Sequence, residues 1–442
     1  MAIDTDKEKP MGRKHFRYAS WTVAVIFFSA SVTNSILFAL LSPSLTQELN
    51  LNHQSLGMLG GYYFVAYSIG QLTLGSLLGP ISPRYLLSIS AALAASGCVI
   101  FASSHSFGTA LTGQLLVALG LSSSFLGVIY VIGRDLPNKF SLMAAVSQGL
   151  ANFAAASLSL LIGLLDTEVS FREPYFIAAV FFICLAVLLF ILIGSNQNSS
   201  HELSAKKASQ FDKLNSCFKS RAFWLALTFY SCLFGVIIAY SDLWNIQFQV
   251  DFFRETSRES ALLNAMISTG IIIGSFIIGA WSHYRGDYVI PARTFSFLSI
   301  IAVTALLSIH LSDSWTLTAN FLLGFGLSSS ILSLSIVQSE LPEKAHAIAS
   351  ALIVTGGFVL GGVIQTLIGL SLDQDIEFAY IRSLSDLLAR LFDFAPQPTQ
   401  NFYNYQAGFQ LIGIIVIVGC ISSLLLSSKK LVKKRGPKIG SS

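Results

Sequence analysis

Gly120-Leu-Ser-Ser-Ser124, then Leu136-Pro137, then Ile162-Gly163-Leu164: this ordered set occurs twice. The second copy is Gly326-Leu-Ser-Ser-Ser330, Leu341-Pro342 and Ile368-Gly369-Leu370, offset by 206, 205 and 206 residues (120 to 326, 136 to 341, 162 to 368). One pentapeptide can recur by chance in a chain rich in Leu and Ser. Three ordered matches at almost one spacing mark an internal duplication. A period near half the chain means two similar halves rather than a solenoid of short repeats. In both copies a long apolar run meets a polar Leu-Pro break, and a second apolar run follows.

Composition says where such runs reside. Of 442 residues, 53% are hydrophobic and 11% charged, and the mean hydropathy is +0.66. A soluble domain carries about 25% charged residues, so this chain lacks the charge to cover a water-soluble surface of its size. The net charge of +4 is scattered in short clusters between apolar runs, which does not suggest a nucleic-acid partner. Four of the five Cys lie inside apolar runs, and no CxxC or His/Cys cluster appears. Neither a disulfide framework, a metal site nor a cofactor is expected. No phosphate-cradling Gly-x-x-x-x-Gly-Lys-Ser/Thr loop is present, and no nucleophile–base set stands out, so the chain reads neither as a nucleotide-driven pump nor as an enzyme. The first apolar run is too long for a signal-peptide core and reads as a retained span.

A span needs about 20 apolar residues, and continuous runs exclude the alternation of a membrane β-barrel. Twelve spans are expected, at 18–44, 55–79, 85–104, 109–133, 140–165, 174–194, 222–247, 259–282, 293–310, 315–339, 347–372 and 405–427. The fold class is an all-α polytopic membrane protein. Its segments are an N-terminal tail (1–17), a six-helix bundle (18–194), a polar linker (195–221), a second six-helix bundle (222–428) and a basic tail (429–442). With the N-terminus inside, 22 Lys and Arg fall on the cytoplasmic side and five outside, which accounts for all 27. The positive-inside rule then puts both termini in the cytoplasm. Six spans per half is an even number, so the repeat is parallel. Within 374–402, Phe378, Ile381, Leu384, Leu388 and Leu391 share one helical face, which suggests an amphipathic helix on the outer surface.

At the second turn, Gly75 is followed by Gly79-Pro-Ile-Ser-Pro-Arg84; at the corresponding turn of the second half stands Gly279-Ala-Trp-Ser-His-Tyr-Arg-Gly286. This resembles the loop signature Gly-x-x-x-Asp-Arg-x-Gly-x-Arg of the major facilitator superfamily. Gly75 and Arg84 match in the first copy, and Gly279 and Gly286 in the second, where His283 replaces the Asp. Ser42-Pro43, Leu243-Trp244 and Gly361-Gly-Val-Ile-Gln365 look like one bacterial branch of that superfamily. The resemblance implies a monomer in a bacterial inner membrane, two bundles that rock about a central site, and a gating role for the two loops. Relatives often carry Arg late in span 1 and early in span 4, where Leu40 and Gln114 stand here. Proton antiporters of the superfamily usually show Gly-Pro in span 5, and Ala144–Leu165 has no Pro. That argues against drug efflux and for uptake or bidirectional transport.

An ionisable group within a span costs about 2.5–3.5 kcal/mol. Asp242 is the one carboxylate clearly inside an expected span. It either couples protons or a cation, or caps the mouth of a span that ends early. The arrangement implied by the resemblance makes Asn34, Tyr67, Gln148 and Asn152 cavity candidates near mid-membrane. Gln114, Trp244, Asn264, Asn320 and Gln365 are candidates toward the outside. Gln148 and Asn152 are four apart and share a helix face. Amides at such depths also serve as interhelical glue. The Ser runs 122–124 and 328–330 and their glycines suit close helix packing rather than substrate binding. The function expected is secondary transport of a small polar solute, with the bilayer and, if Asp242 titrates, protons as further partners. Export of a siderophore or toxic compound, and a non-transporting receptor of the same fold, are the alternatives.

Overall fold

The computed structural model describes residues 11–77, 81–164, 170–194, 214–253, 257–308, 313–342, 345–373 and 400–427. The chain divides into two compact units, Met1–Ser204 and Ala205–Ser442. The first holds α1 (Met11–Leu40), α2 (Ser42–Leu49), α3 (His53–Leu77), α4 (Pro83–Ala102), α5 (Phe107–Leu121), α6 (Ser124–Asp135), α7 (Phe140–Leu164) and α8 (Arg172–Leu192). The second holds α9 (Arg221–Val236), a π-helical segment (Ile237–Trp244), α10 (Asn245–Phe248) and a second π-helical segment (Gln249–Phe253). It continues with α11 (Ser257–Arg285), α12 (Val289–Ser308), α13 (Asp313–Leu327), α14 (Leu332–Glu340), α15 (His346–Asp373) and α16 (Gln400–Leu425). No strand occurs among the described residues.

Nine of the described helical stretches are long and apolar enough to cross a membrane. The apolar stretches Val146–Ile162 and Gln410–Leu425 are shorter, and the 25-residue α3 lies at the second expected span. The outer segment up to 399, most of the linker and the basic tail lie outside the described residues.

Each unit repeats one packing scheme. In the first, α4 packs on α5 and α8, α3 packs on α5, and α1 packs on α7. In the second, α12 packs on α13 and α16, α11 packs on α13, and α9 packs on α15. Lipid tails are as apolar as Leu, so helices here are joined by close van der Waals contact rather than by hydrophobic burial. Glycine supplies the closeness. A Cβ on Gly120 would collide with the backbone of Ala94 and lie 2.6 Å from the Ser90 carbonyl. A Cβ on Gly326 would collide with Ser299 Oγ and lie 2.8 Å from the Phe295 carbonyl. Likewise Gly70 faces Ser122, and Gly274 faces Ser328, each at a separation that no side chain could enter.

The duplicated Ser runs do more than pack. In the first unit the helix breaks between α5 and α6, at Ser122 and Ser123; in the second, Ser328–Ile331 is a 3-10 turn between α13 and α14. Ser122 Oγ donates to the Leu119 carbonyl (2.7 Å) and Ser328 Oγ to the Phe325 carbonyl (2.6 Å). Hydroxyls bonded back to the preceding turn bend helices. The expected spans 109–133 and 315–339 are therefore each two helices in line. The Leu-Pro breaks end α6 at Asp135 and α14 at Glu340, as the restriction on a residue before Pro requires. Leu341 joins an apolar cluster with Phe223, Tyr230, Ala349 and Ile353.

The first span also ends sooner than its apolar run. Pro43 opens the separate α2, closed at Asn50 in the left-handed conformation (φ 49°). There Arg172 Nε meets Glu48 Oε2 at 3.1 Å, and its Nη1 donates to the Ala102 carbonyl at 2.8 Å. Ser44 and Ser170 both donate to Glu48 Oε1. This clasp ties α2 to the start of α8 and the end of α4.

Candidate functional site

Buried amides gather in the second unit, where the helix widens. Ile237–Trp244 has π-helical bonding. π-Bulges are rare and frequent at functional sites, because the extra residue in the turn re-aims its side chains. The helical stretch continues through this turn, from Arg221 to Asp251. Asp242 therefore lies within a continuous helix, about 30 Å along the axis from Arg221 at about 1.5 Å per residue, and it is half-buried.

Around it, Asn264 Oδ1 on α11 accepts from Asn245 Nδ2 (3.2 Å) and Ser241 Oγ (3.3 Å). On the neighbouring α15, Gln365 Nε2 donates to the Ile238 carbonyl at 2.9 Å, and Trp244 Nε1 donates to the Gln365 carbonyl at 3.1 Å. Asn245, Asn264, Trp244 and Gln365 are all fully buried. Asn264 Nδ2, Asn245 Oδ1 and Gln365 Oε1 have no hydrogen-bond partner. An unmade hydrogen bond on a buried polar group costs about 1–3 kcal/mol. Three such atoms in one small region are suited to a polar ligand. Gln247 Nε2 reaches Asp251 at 3.0 and 3.1 Å, one turn further out.

α9 reaches α15 through Gly356, Gly357 and Gly361, where an added Cβ would strike Leu227, Tyr230 and Ile238 respectively. The Gly-Gly-Val-Ile-Gln stretch thus sets the helix separation that lets Gln365 reach a backbone carbonyl. Asn320 stands apart from the cluster's bonds. Its Nδ2 donates to its own helix at Thr316 (2.9 Å), and its Oδ1 has no partner.

The first unit is arranged differently. Gln148 Nε2 approaches Asn152 Oδ1 at 3.5 Å on one face of α7, both half-buried. Tyr67 is buried against Ser31 and Ser124 and stacks on Tyr63. Gln114 is buried with its Oε1 unpartnered. Asn34 is 3% exposed, and neither of its amide atoms has a partner. It lines an apolar cavity of about 510 Å³ formed by α1, α7 and α8.

The loop-motif residues act on packing and turns. A Cβ on Gly75 would lie 2.7 Å from Leu126 Cδ1, the end of a flexible side chain that can turn aside. The Arg84 guanidinium lies 4.0 Å over the Phe190 ring. Gly279 has open space around it. Gly286 ends α11 with φ +66°, a conformation that favours glycine. The side chain of His283 lies outside the described residues. Asp287, next to Gly286 and outside the loop signature, accepts from Val289 N at 2.7 Å and caps α12. Ser241 and Asn245 were also missed, because a short polar residue in an apolar run gives no periodic signal.

Long apolar helices held by glycine contacts, with uncharged polar side chains buried between them, are the build of a polytopic membrane protein. The sequence profile of the Major Facilitator Superfamily matches residues 23–366. The chain belongs to the major facilitator superfamily and is a membrane transporter, not an enzyme. No curated protein matches it in sequence. Among solved structures, it is similar to a bacterial homolog of the human lysosomal transporter Spinster in an inward-facing, unoccupied conformation (TM-score 0.68, 12% identity, 92% of this chain and 96% of that one). It is also similar to the nucleoside transporter NupG (0.69, 11%, 92% and 99%) and a D-xylose-proton symporter (0.69, 13%, 92% and 97%). At these identities the likeness is one of fold.

Proposed function

We propose that this chain takes up a small, polar, uncharged or weakly cationic solute across a bacterial inner membrane by alternating access. The observation that carries the reading is the trio of buried, unpartnered amide atoms on Asn245, Asn264 and Gln365, beside the wide turn that holds Asp242. Amides both donate and accept, so they suit hydroxyl and ring-nitrogen groups and give no counter-charge to a multiply anionic solute. Trp244 forms an apolar wall beside them. Asp242 is the coupling group: proton binding there accompanies solute binding, and an inward proton gradient drives accumulation. Tyr67, Gln114, Gln148 and Asn152 of the first unit and Asn320 of the second are the further polar candidates. Gly75, Arg84, Gly279, His283 and Gly286 form the gating turns. The orientation that goes with uptake has both termini in the cytoplasm, on the Lys and Arg count.

The test begins with thermal-shift screening of purified protein against neutral polar metabolites. Nucleosides and pentoses come first, because solved transporters of the same fold act on a nucleoside and on D-xylose. A ligand at a hundred times its Kd adds about 2.7 kcal/mol of stability. The wild-type protein is expected to gain that shift and Asn264→Ala to lose it. In proteoliposomes, Asp242→Asn is expected to abolish uphill uptake and spare exchange. Equal stabilisation of both proteins would remove the amide cluster from the reading, and undiminished uphill transport by the Asp242 variant would remove proton coupling.

A further inference from the structure

The cavity in the first unit has a chemistry unlike that of the amide cluster. It runs along α1 from Trp21 to Leu37, about 24 Å of helix axis at about 1.5 Å per residue. That is most of the roughly 30 Å hydrocarbon thickness of a bilayer. Its walls carry no ionisable side chain. Ile26, Leu150, Phe153 and Phe181 line it and are 40%, 44%, 69% and 45% exposed. These exposed apolar side chains suit lipid tails, which are just as apolar. At about 510 Å³ it falls within the size of small-molecule sites, which run from about 300 to 1,000 Å³ and join apolar walls to a few fixed polar groups.

Thr22, Ser29, Thr33 and Asn34 are the polar residues of the lining, and of these four only Asn34 is buried. It sits near one end of the cavity, about 20 Å along the helix from Trp21. Its side chain is 3% exposed, lines the cavity, and has neither donor nor acceptor satisfied. Trp21, at the other end, is already engaged: its Nε1 donates to Ser147 Oγ at 3.0 Å. A bare hydrocarbon would leave the Asn34 amide unmet, and a polar metabolite would leave the long apolar wall unmet. An ionised head would find no opposite charge.

We propose that this groove binds a neutral single-chain amphiphile drawn from the bilayer. Its hydrocarbon chain lies along α1 between α7 and α8, and its hydroxyl or ester head hydrogen-bonds to the amide of Asn34. The site is separate from the amide cluster and independent of the transport reading, since its test measures binding alone.

The probe is a monoacylglycerol with an 18-carbon chain bearing a photoactivatable diazirine, added to the purified full-length protein in lipid nanodiscs. Cross-linked peptides are then mapped by mass spectrometry. Label is expected to concentrate in α1, α7 and α8. Ala178→Trp, which fills the groove from α8, is expected to cut it at least fivefold. Asn34→Leu, which keeps the apolar wall, is expected to weaken displacement by unlabelled monoacylglycerol about tenfold, the size of one buried hydrogen bond. If Ala178→Trp lowers the melting temperature, Ala154→Phe fills the same groove from α7. Label spread evenly over all lipid-facing helices, or label unmoved by the filling variant, would overturn the site. Displacement unchanged in Asn34→Leu would overturn the role of the head group and, with it, the proposal of an amphiphile.

Discussion

The two units share a scaffold and differ in what they bury on it. Gly70 against Ser122 and Gly274 against Ser328 are the same contact made twice. The Ser-run break recurs at the same place in each. Yet the first helix of the first unit offers Asn34 to an apolar cavity, whereas the first helix of the second unit widens into a π-helical turn and gathers a bonded group of amides. Position 34 shifted by the repeat offset of 206 is Tyr240 (34 to 240), within that turn. Duplication therefore preserved the helix separations and left the interior chemistry free to diverge.

The comparison is broken most severely at the shared glycines. Gly120→Ala and Gly326→Ala each push a Cβ into backbone or hydroxyl already in contact. Overpacking costs about 1–3 kcal/mol, and both variants are expected to lower the thermal midpoint by a similar amount. Gly149→Ala, on α7 where nothing lies within 4 Å, serves as the contrast. It is expected to hold or raise the midpoint, because Ala exceeds Gly in helix propensity by up to about 1 kcal/mol. Unequal losses at 120 and 326 would show that one half bears the packing.

A smaller effect separates two arginines in matching roles. Both stand near the start of the third long helix of their unit and brace the end of the last. Arg84 does so by lying over Phe190. Arg293 does so by donating to the carbonyls of Ser423, Leu424 and Leu426, where a cation also opposes the negative end of the helix dipole. Arg293→Ala is expected to cost about 1–2 kcal/mol and Arg84→Ala about 0.5–1 kcal/mol, read from chemical or thermal unfolding in detergent. The reverse order would make the ring contact the stronger brace.

The smallest effect belongs to the clasp of the first unit. Partial burial raises the Glu48 pKa, but hydrogen bonds from Ser170, Ser44 and Arg172 and the charge of Arg172 outweigh it and hold the carboxyl below its usual value. A carboxylate with a depressed folded pKa contributes stability that is present above its unfolded pKa and is lost as pH falls through the folded one. Glu48→Gln is therefore expected to lower stability near neutral pH. The gap from wild type should close below about pH 4.5, and it should stay under about 1 kcal/mol at an exposed site. A gap that persists at low pH would assign the clasp to shape rather than charge.

What the sequence made legible follows from which forces leave a periodic trace. Runs long enough to span hydrocarbon are visible because every backbone group there must be satisfied within its own helix. The duplicated Gly, Ser and Leu-Pro residues are visible because close packing and chain reversal admit few residue types. The family's loop pattern was legible at Gly75, Arg84, Gly279 and Gly286. The widening at Ile237–Trp244 was not, since an added residue per turn leaves no mark in a uniformly apolar run. For the same reason the breaks at Ser122 and Ser328 were hidden within what read as single spans. Asn264 and Gln365 could be singled out as costly amides. Their bonding with Asn245, Ser241 and Trp244 depends on helix rotation, which hydropathy does not encode. The α1 cavity is a shape rather than a pattern, and only Asn34 hinted at it.

The glycine–serine crossings also constrain how the chain can vary. A larger residue at 70 needs a smaller one at 122, because the Ser122 side chain fills the gap; at 274 the Phe325 backbone closes the gap as well, so no change at 328 alone makes room. Change at 70 must therefore arrive with change at 122, while 274 holds to glycine. Single-site diversification would stall there. The helix crossings mark where the chain must be left alone.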